Sequence, residues 1–241
     1  MPTADTTRFV LIGTSHPGNV GAAARAMKVM GFTDLVLVAP RFADVLQQVE
    51  AVAMASGATD VLANARIVAT LAEALDGVSF ACATAMTPRD FGPPTRAPRE
   101  LLAELAPGTQ RVAFVFGSER FGMSNDDVYR CHVCLSIPTV PEYGSLNLAQ
   151  AVQLLAYDWR QALGGFPVQP RTVDAKRADG VAVQGLLDHW QQALVDIEFF
   201  DPLVPRKLIP RLQQLLNRAQ LTEEEVHILR GVARAIDKAR R

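Results

Sequence analysis

An α/β fold is what this sequence predicts: a parallel-sheet α/β/α domain followed by a helical C-terminal extension. Three observations carry that prediction. Short, nearly unbroken apolar runs recur at 8–13 (RFVLIG), 35–39 (LVLVA), 78–84 (VSFACAT), 111–117 (RVAFVFG) and 134–137 (CLSI), as strands buried on both faces do. Helix-forming segments lie between them, which is the alternation of a parallel sheet. From residue 181 the strand pattern stops and apolar residues recur at helical spacing to the C-terminus.

Taken in order, the first run is followed by a turn at Gly18-Asn19-Val20-Gly21 and a helix over 22–30, rich in strong helix formers and stopped by Gly31. The second strand ends at Pro40. Residues 44–55 and 59–63 read as helical or loop-like around Gly57, 67–68 as a short strand and 69–75 as a short helix. After the strand at 78–84 comes a Pro-rich loop, 87–98, carrying Arg89 and Arg96, then a helix over 99–105. Ser124, with Asp127 three residues on, predicts a capped short helix over 124–129. A long helix spans 146–163. The chain divides into an α/β domain at 1–163, a Gly/Pro-broken linker at 164–180 and a helical extension at 181–241, in which Thr222 and Glu225 form a capping box.

Composition narrows the function classes. Twenty-four Lys+Arg against 25 Asp+Glu give a net charge of −1, so no global positive field recruits a polyanion. Residues 166–241 hold twelve basic and ten acidic residues, leaving twelve and fifteen for the rest, and any nucleic-acid site must be a local patch. No apolar run approaches the roughly 20 residues of a membrane span, and residues 1–8 lack the apolar stretch of a signal peptide, so a cytoplasmic protein with no membrane association is expected. Cys131-His132-Val133-Cys134 has the spacing of half a zinc site, but a second ligand pair is missing. Two small residues entering a strand is the favoured reading, and no metal is expected.

Ligands of open parallel sheets bind beyond the carboxyl ends of the strands. Gly13, Thr84, Gly117 and Ile137 all occupy such ends. Gly18 and Gly21 permit close backbone approach or positive φ, and the helix that follows offers free N–H groups to an anion. Gly117 leaves a strand end bare, with Glu119 and Arg120 just beyond it. Pro138 and Pro141 stiffen the loop leading to Gly144-Ser145, where Ser145 is a candidate N-cap of the long helix. No Ser–His–Asp arrangement is evident.

These three segments, Gly18–Arg25 with Asn19, Phe116–Gly122 with Glu119, and Ile137–Asn147, resemble in order the three motifs of the SpoU group of SPOUT methyltransferases, which methylate ribose 2′-hydroxyls of RNA. Asn217-Arg218-Ala219 and His227–Gly231 resemble the C-terminal extension of a tRNA-modifying branch that acts on a pyrimidine ribose in the anticodon loop. The resemblance implies a deep trefoil knot at the C-terminal side of the first domain, S-adenosylmethionine as cofactor, tRNA as partner and a homodimer with the site at the subunit interface. It implies catalytic roles for Asn19, Arg25, Glu119 and Ser145. It places the cofactor on Thr84, Ala85, Met86, Gly117, Ile137, Gly144, Ser145 and Leu146, and RNA on Arg25, Arg89, Arg96 and Asn147. The helical extension is expected to bind tRNA. The chain departs from the pattern at Thr87, Ser118 and Gly144, which lowers the positive charge of the RNA-binding loop. Methylation of rRNA or another RNA, and an inactive RNA-binding module, are the alternative readings.

Overall fold

The computed structural model describes residues 7–85, 89–168, 175–204 and 207–239. They form two compact units, 1–167 and 168–241. The first unit is built on strands β1 (Arg8–Ile12), β2 (Asp34–Val38), β3 (Arg66–Val68), β4 (Phe80–Thr84), β5 (Thr95–Arg96), β6 (Val112–Phe116) and β7 (Val133–Leu135). They form one sheet in the order β3-β2-β1-β6-β4-β7-β5, and every pairing is parallel.

Period-two alternation sends Phe9, Leu11, Phe114 and Phe116 to one face and Val10, Val36, Ala81 and Val115 to the other. The first face meets α1 (Pro17–Val29), α2 (Val49–Ala55), α3 (Thr59–Asn64), α5 (Pro98–Leu105) and α7 (Leu148–Ala162). The second face meets α4 (Leu71–Ala74) and α6 (Asn125–Tyr129). A chain of aromatic rings runs through the larger core, with Phe9 5.4 Å from Phe114 and Phe114 edge-on to Trp159 at 6.0 Å. The Trp159 indole N–H donates to Thr7 Oγ1 at 2.8 Å, so the one polar atom of that ring is satisfied.

Helix α1 begins at Pro17, ahead of the expected turn, and Gly18 to Gly21 are helical. Proline at the first helical position is pre-set for the helix, and its missing N–H has no intrahelical partner to lose. Neither glycine has positive φ. Gly21 serves helix packing instead: a Cβ there would collide with the Ala51 carbonyl of α2. The Pro-rich loop also differs from expectation, because Thr95 and Arg96 form an edge strand on β7.

The smaller edge of the sheet is where the knot implied by the resemblance belongs. There β7 lies between β4 and β5, and the chain returns from it to lay α7 against α1 and α5.

The second unit contains α8 (Gly180–Asp196), α9 (Leu208–Ala219) and α10 (Glu223–Ala239) around Leu186, Leu221 and Val226. Asp179 caps α8, accepting from the Ala182 N–H at 2.7 Å. Thr222 and Glu225 make the expected capping box of α10, at 2.7 and 3.2 Å. Residues 176–178 are tied to 221–223, with the Ala178 N–H donating to the Leu221 carbonyl at 2.8 Å and the Glu223 N–H to the Lys176 carbonyl at 3.0 Å.

Candidate active site

The order in which the chain lays down its strands switches sides between β1 and β6, since β2 and β3 lie to one side and β4, β7 and β5 to the other. Gly13, with φ +58°, turns the chain out of β1, and a Cβ on it would lie 3.7 Å from Ser118 Cβ. The chain after β6 folds back on itself: the Ser118 N–H donates to the Gly122 carbonyl at 3.1 Å, and the Gly122 N–H to the Ser118 carbonyl at 2.9 Å. A Cβ on Gly117 would strike Gly122 and Met123. The bare strand end is therefore required by the turn that closes over it.

Glu119 is held inside this arrangement. Its Oε2 accepts from the Ser15 N–H at 3.0 Å and the Ser15 hydroxyl at 2.9 Å, and its Oε1 accepts from Asn19 Nδ2 at 2.9 Å. Asn147 Nδ2 then donates to Asn19 Oδ1 at 3.0 Å. A carboxylate only accepts, so it fixes the orientation of both amides in turn. Burial alone would raise the Glu119 carboxyl, but the Asn19 amide and the Ser15 donors outweigh it and hold the group below the ordinary carboxylate range. Glu119 is thus an anion that orders its surroundings.

Asn147 is also the N-cap of α7. Its Oδ1 accepts from the Ala149 N–H at 2.9 Å, and its own N–H donates to Gln150 Oε1 at 3.3 Å. Ser145 lies two residues before the cap, so the structural role it was a candidate for belongs to Asn147. Ser145 is exposed and lines the cavity beside it.

That cavity has a volume of about 330 Å³. Thr84, Ala85, Gly117, Ile137, Gly144, Ser145 and Leu146 line it, with Arg89 and Glu119. Phe116, Leu135, Leu148 and Ala151 supply apolar wall. Met86 and Thr87 lie outside the described residues. The Thr84 hydroxyl donates to the Val115 carbonyl at 2.9 Å and so braces the strand ends. Arg25 does not line the cavity: it is exposed on α1, roughly 9 Å along the helix axis from Asn19 at 1.5 Å per residue. Arg96 lies on β5, paired with Glu104 at 2.6 Å.

Ser15 is the member of this constellation that sequence reasoning missed. It belongs to no motif, and the only signal for it is its place just past the first strand end.

Cys131 and Cys134 flank the start of β7 as buried, free thiols. Burial, then the neighbouring Cys134, pushes the Cys131 thiol up to about 12. Burial also raises Cys134. His132 between them is structural: its Nδ1 accepts from the Ala81 N–H at 3.0 Å and its ring stacks on Phe80. Among the described residues, no group of three metal-ligating side chains comes together, and no helix is long and apolar enough to cross a membrane.

A parallel sheet whose carboxyl edge lines one cavity with the second and third segments, and ties the first to them through Asn19, Glu119 and Asn147, is the architecture of the SpoU methylases. Residues 6–157 match the SpoU rRNA Methylase family, and the chain belongs to it. Residues 181–241 match the family described as the C-terminal domain of tRNA methyltransferase TrmJ. The chain is 41% identical to a tRNA (cytidine/uridine/adenosine-2′-O-)-methyltransferase TrmJ of Pseudomonas aeruginosa, over 98% of this chain and 96% of that one. It is 42% identical to a tRNA (cytidine/uridine-2′-O-)-methyltransferase TrmJ of Klebsiella pneumoniae, over 96% of each. The crystal structure of TrmJ from Z. mobilis superposes with a TM-score of 0.81 at 31% identity, covering 98% of this chain and 99% of that one.

Proposed function

We propose that the protein transfers a methyl group from S-adenosylmethionine to the ribose 2′-hydroxyl of a pyrimidine nucleotide in the tRNA anticodon loop. The observation that carries this reading is the near full-length identity, about two residues in five, to enzymes that bear that activity in their names. The name of the Pseudomonas relative adds adenosine to the two pyrimidines, so the range of bases accepted here is part of what must be measured.

The residues suit such a cofactor. The cavity is at the lower end of the 300–1,000 Å³ range of small-molecule sites. It joins an apolar wall to the main chain of 144–146. S-adenosylmethionine supplies an electrophilic methyl group on a sulfonium. Thr84, Ala85, Met86, Gly117, Ile137 and residues 144–146 would hold it. The Ser145 hydroxyl would orient the ribose or the cofactor's carboxylate. Glu119, Asn19 and Asn147 hold the three segments in register, and Asn147 enters the proposal as a positioning residue, because both ends of its side chain are engaged in the protein.

Arg25 is assigned the RNA phosphate and the alkoxide that develops on the ribose oxygen. An arginine stays protonated at neutral pH, so it acts by charge and geometry. Arg89 lines the cavity and is a phosphate contact. Arg96 is a more distant one, and its exposed pair with Glu104 is weak enough to exchange for a phosphate.

A homodimer is part of the proposal. Arg25 lies outside the cavity lining of its own chain, while Val29 on α1 and Leu154 and Tyr157 on α7 expose apolar surface on two helices that pack together. In such a dimer Arg25 is assigned to the partner's cavity. The helices of 181–241 are assigned tRNA binding, and the cytoplasm is the compartment in which tRNA and the cofactor meet.

Incubation with labelled cofactor and unmodified bulk tRNA, followed by nucleoside analysis, tests the reading. The expected result is 2′-O-methylcytidine or 2′-O-methyluridine from the anticodon loop. Label in rRNA alone would replace the substrate, and cofactor binding with no transfer to any RNA would make the protein a binding module.

A further inference from the structure

The rim of the cavity carries more exposed aromatic surface than folding explains. Phe121 lines the cavity and is 85% exposed. Phe91, two residues from Arg89 of the lining, is fully exposed, and Tyr143, next to Gly144, is 76% exposed. These rings stand on three different loops. Exposed aromatics gathered at one site mark a binding surface.

The loops that present them are built to hold them outward. Phe121 is at the tip of the turn closed by the paired Ser118 and Gly122, and its N–H donates to Ser118 Oγ at 3.2 Å. Phe91 has φ +57°, in the left-handed region that a bulky side chain adopts only at a cost. That strained backbone is anchored by the Tyr129 hydroxyl, which donates to the Asp90 carbonyl at 2.7 Å. Tyr129 ends the helix that begins just after the Phe121 turn, so the two rings are carried on connected supports.

We propose that Phe121 stacks on the nucleobase of the nucleotide to be methylated, and that Phe91 and Tyr143 receive the bases on either side of it. The proposal rests on the RNA methylation reading and adds the base subsite to it. Single-stranded RNA is recognised by unstacked bases laid on aromatic rings, with cations tracking the backbone. Arg89 and the exposed Arg120 are the cations of this rim. The chemistry at the ribose needs no hydrogen bond to the base, and stacking holds any base that presents a flat face. The surface therefore fits an unpaired loop of RNA and favours tolerance among bases.

The test compares the full-length protein with Phe121→Ala and Phe121→Trp on an anticodon stem-loop RNA, either intact or abasic at the methylated nucleotide. Cofactor affinity is measured in parallel. On intact RNA, Phe121→Ala should lower kcat/KM about tenfold, the size of one base–aromatic stack. Phe121→Trp should retain most of the activity. On abasic RNA the wild type and Phe121→Ala should become equal, and cofactor affinity should be the same for all three. An equal loss on intact and abasic RNA, or no loss at all, would overturn the proposal. So would a weakened cofactor affinity, which would make Phe121 a wall of the cofactor site. In those outcomes the wild type still methylates RNA and the function stands. A wild type that methylates no RNA would remove both.

Discussion

Glu119 joins the loop after β1, the start of α1 and, through Asn19, the N-cap of α7. Glu119→Gln keeps the shape but turns one acceptor oxygen into a donor facing Ser15 or Asn19. We expect a loss of roughly 0.5–1.5 kcal/mol, the net worth of one hydrogen bond at a half-buried site. The gap should depend on pH. Because the folded-state carboxyl is held below its ordinary value, its stabilisation is present above about pH 4.3 and fades as the pH falls through the folded value. Thermal melts of both proteins from neutral to acid pH should therefore converge at the acid end, and a gap unchanged with pH would count against the anionic role. Arg25→Ala belongs to the same scale. If the guanidinium acts on charge that develops in the transition state, kcat should fall on the order of 10²–10³-fold with cofactor affinity unchanged. Near-normal turnover would remove Arg25 from the site.

Among the elements, the crossing of α1 and α2 separates two glycines that look alike in sequence. Gly→Ala inside a helix ordinarily stabilises by roughly 0.5–1 kcal/mol. Gly18→Ala should follow that rule, because the added methyl meets only the mobile end of Glu50. Gly21→Ala should destabilise by about 1–3 kcal/mol, because the added methyl meets the Ala51 backbone and the helices must part. Calorimetry of the two variants decides, and equal melting temperatures would contradict the packing argument. The same crossing shows what the sequence could disclose. Strands β1, β2, β4, β6 and β7 were legible because each lies in an apolar run with a turn signal near its end. The start of α1 was not, since Gly18 and Gly21 carry the composition of a turn while their use is to let two helices touch. Thr95 and Arg96 were hidden as a strand among prolines, which an edge strand tolerates. At the site, the three segments and the cavity residues were legible by family resemblance. The N-cap role of Asn147 and the bond from Ser15 to Glu119 depend on tertiary placement that no local pattern encodes.

For the whole molecule, the two units have separate cores, and cofactor contacts are assigned to the first alone. Scanning calorimetry of the intact chain should resolve two transitions. Cofactor at 100 times its Kd should add about 2.7 kcal/mol to the first unit only, raising that transition by roughly 5–10 °C for a unit of this size. A single transition, or an equal shift of both, would mean that the units melt as one.

The hydrogen-bond chain from Ser15 to Asn147 also has a consequence during synthesis. Its links join residues 104, 100 and 128 positions apart: the two to Glu119 wait for the turn after β6, and the third cannot form until the start of α7 has left the ribosome. At about 5–20 residues per second, the loop after β1 waits on the order of 7–26 s for its last partner. A truncated nascent chain ending just before Asn147 carries every strand of the sheet, yet it lacks the contact that ties the start of α7 to α1. Premature termination upstream of that residue would therefore leave a protein without a finished site.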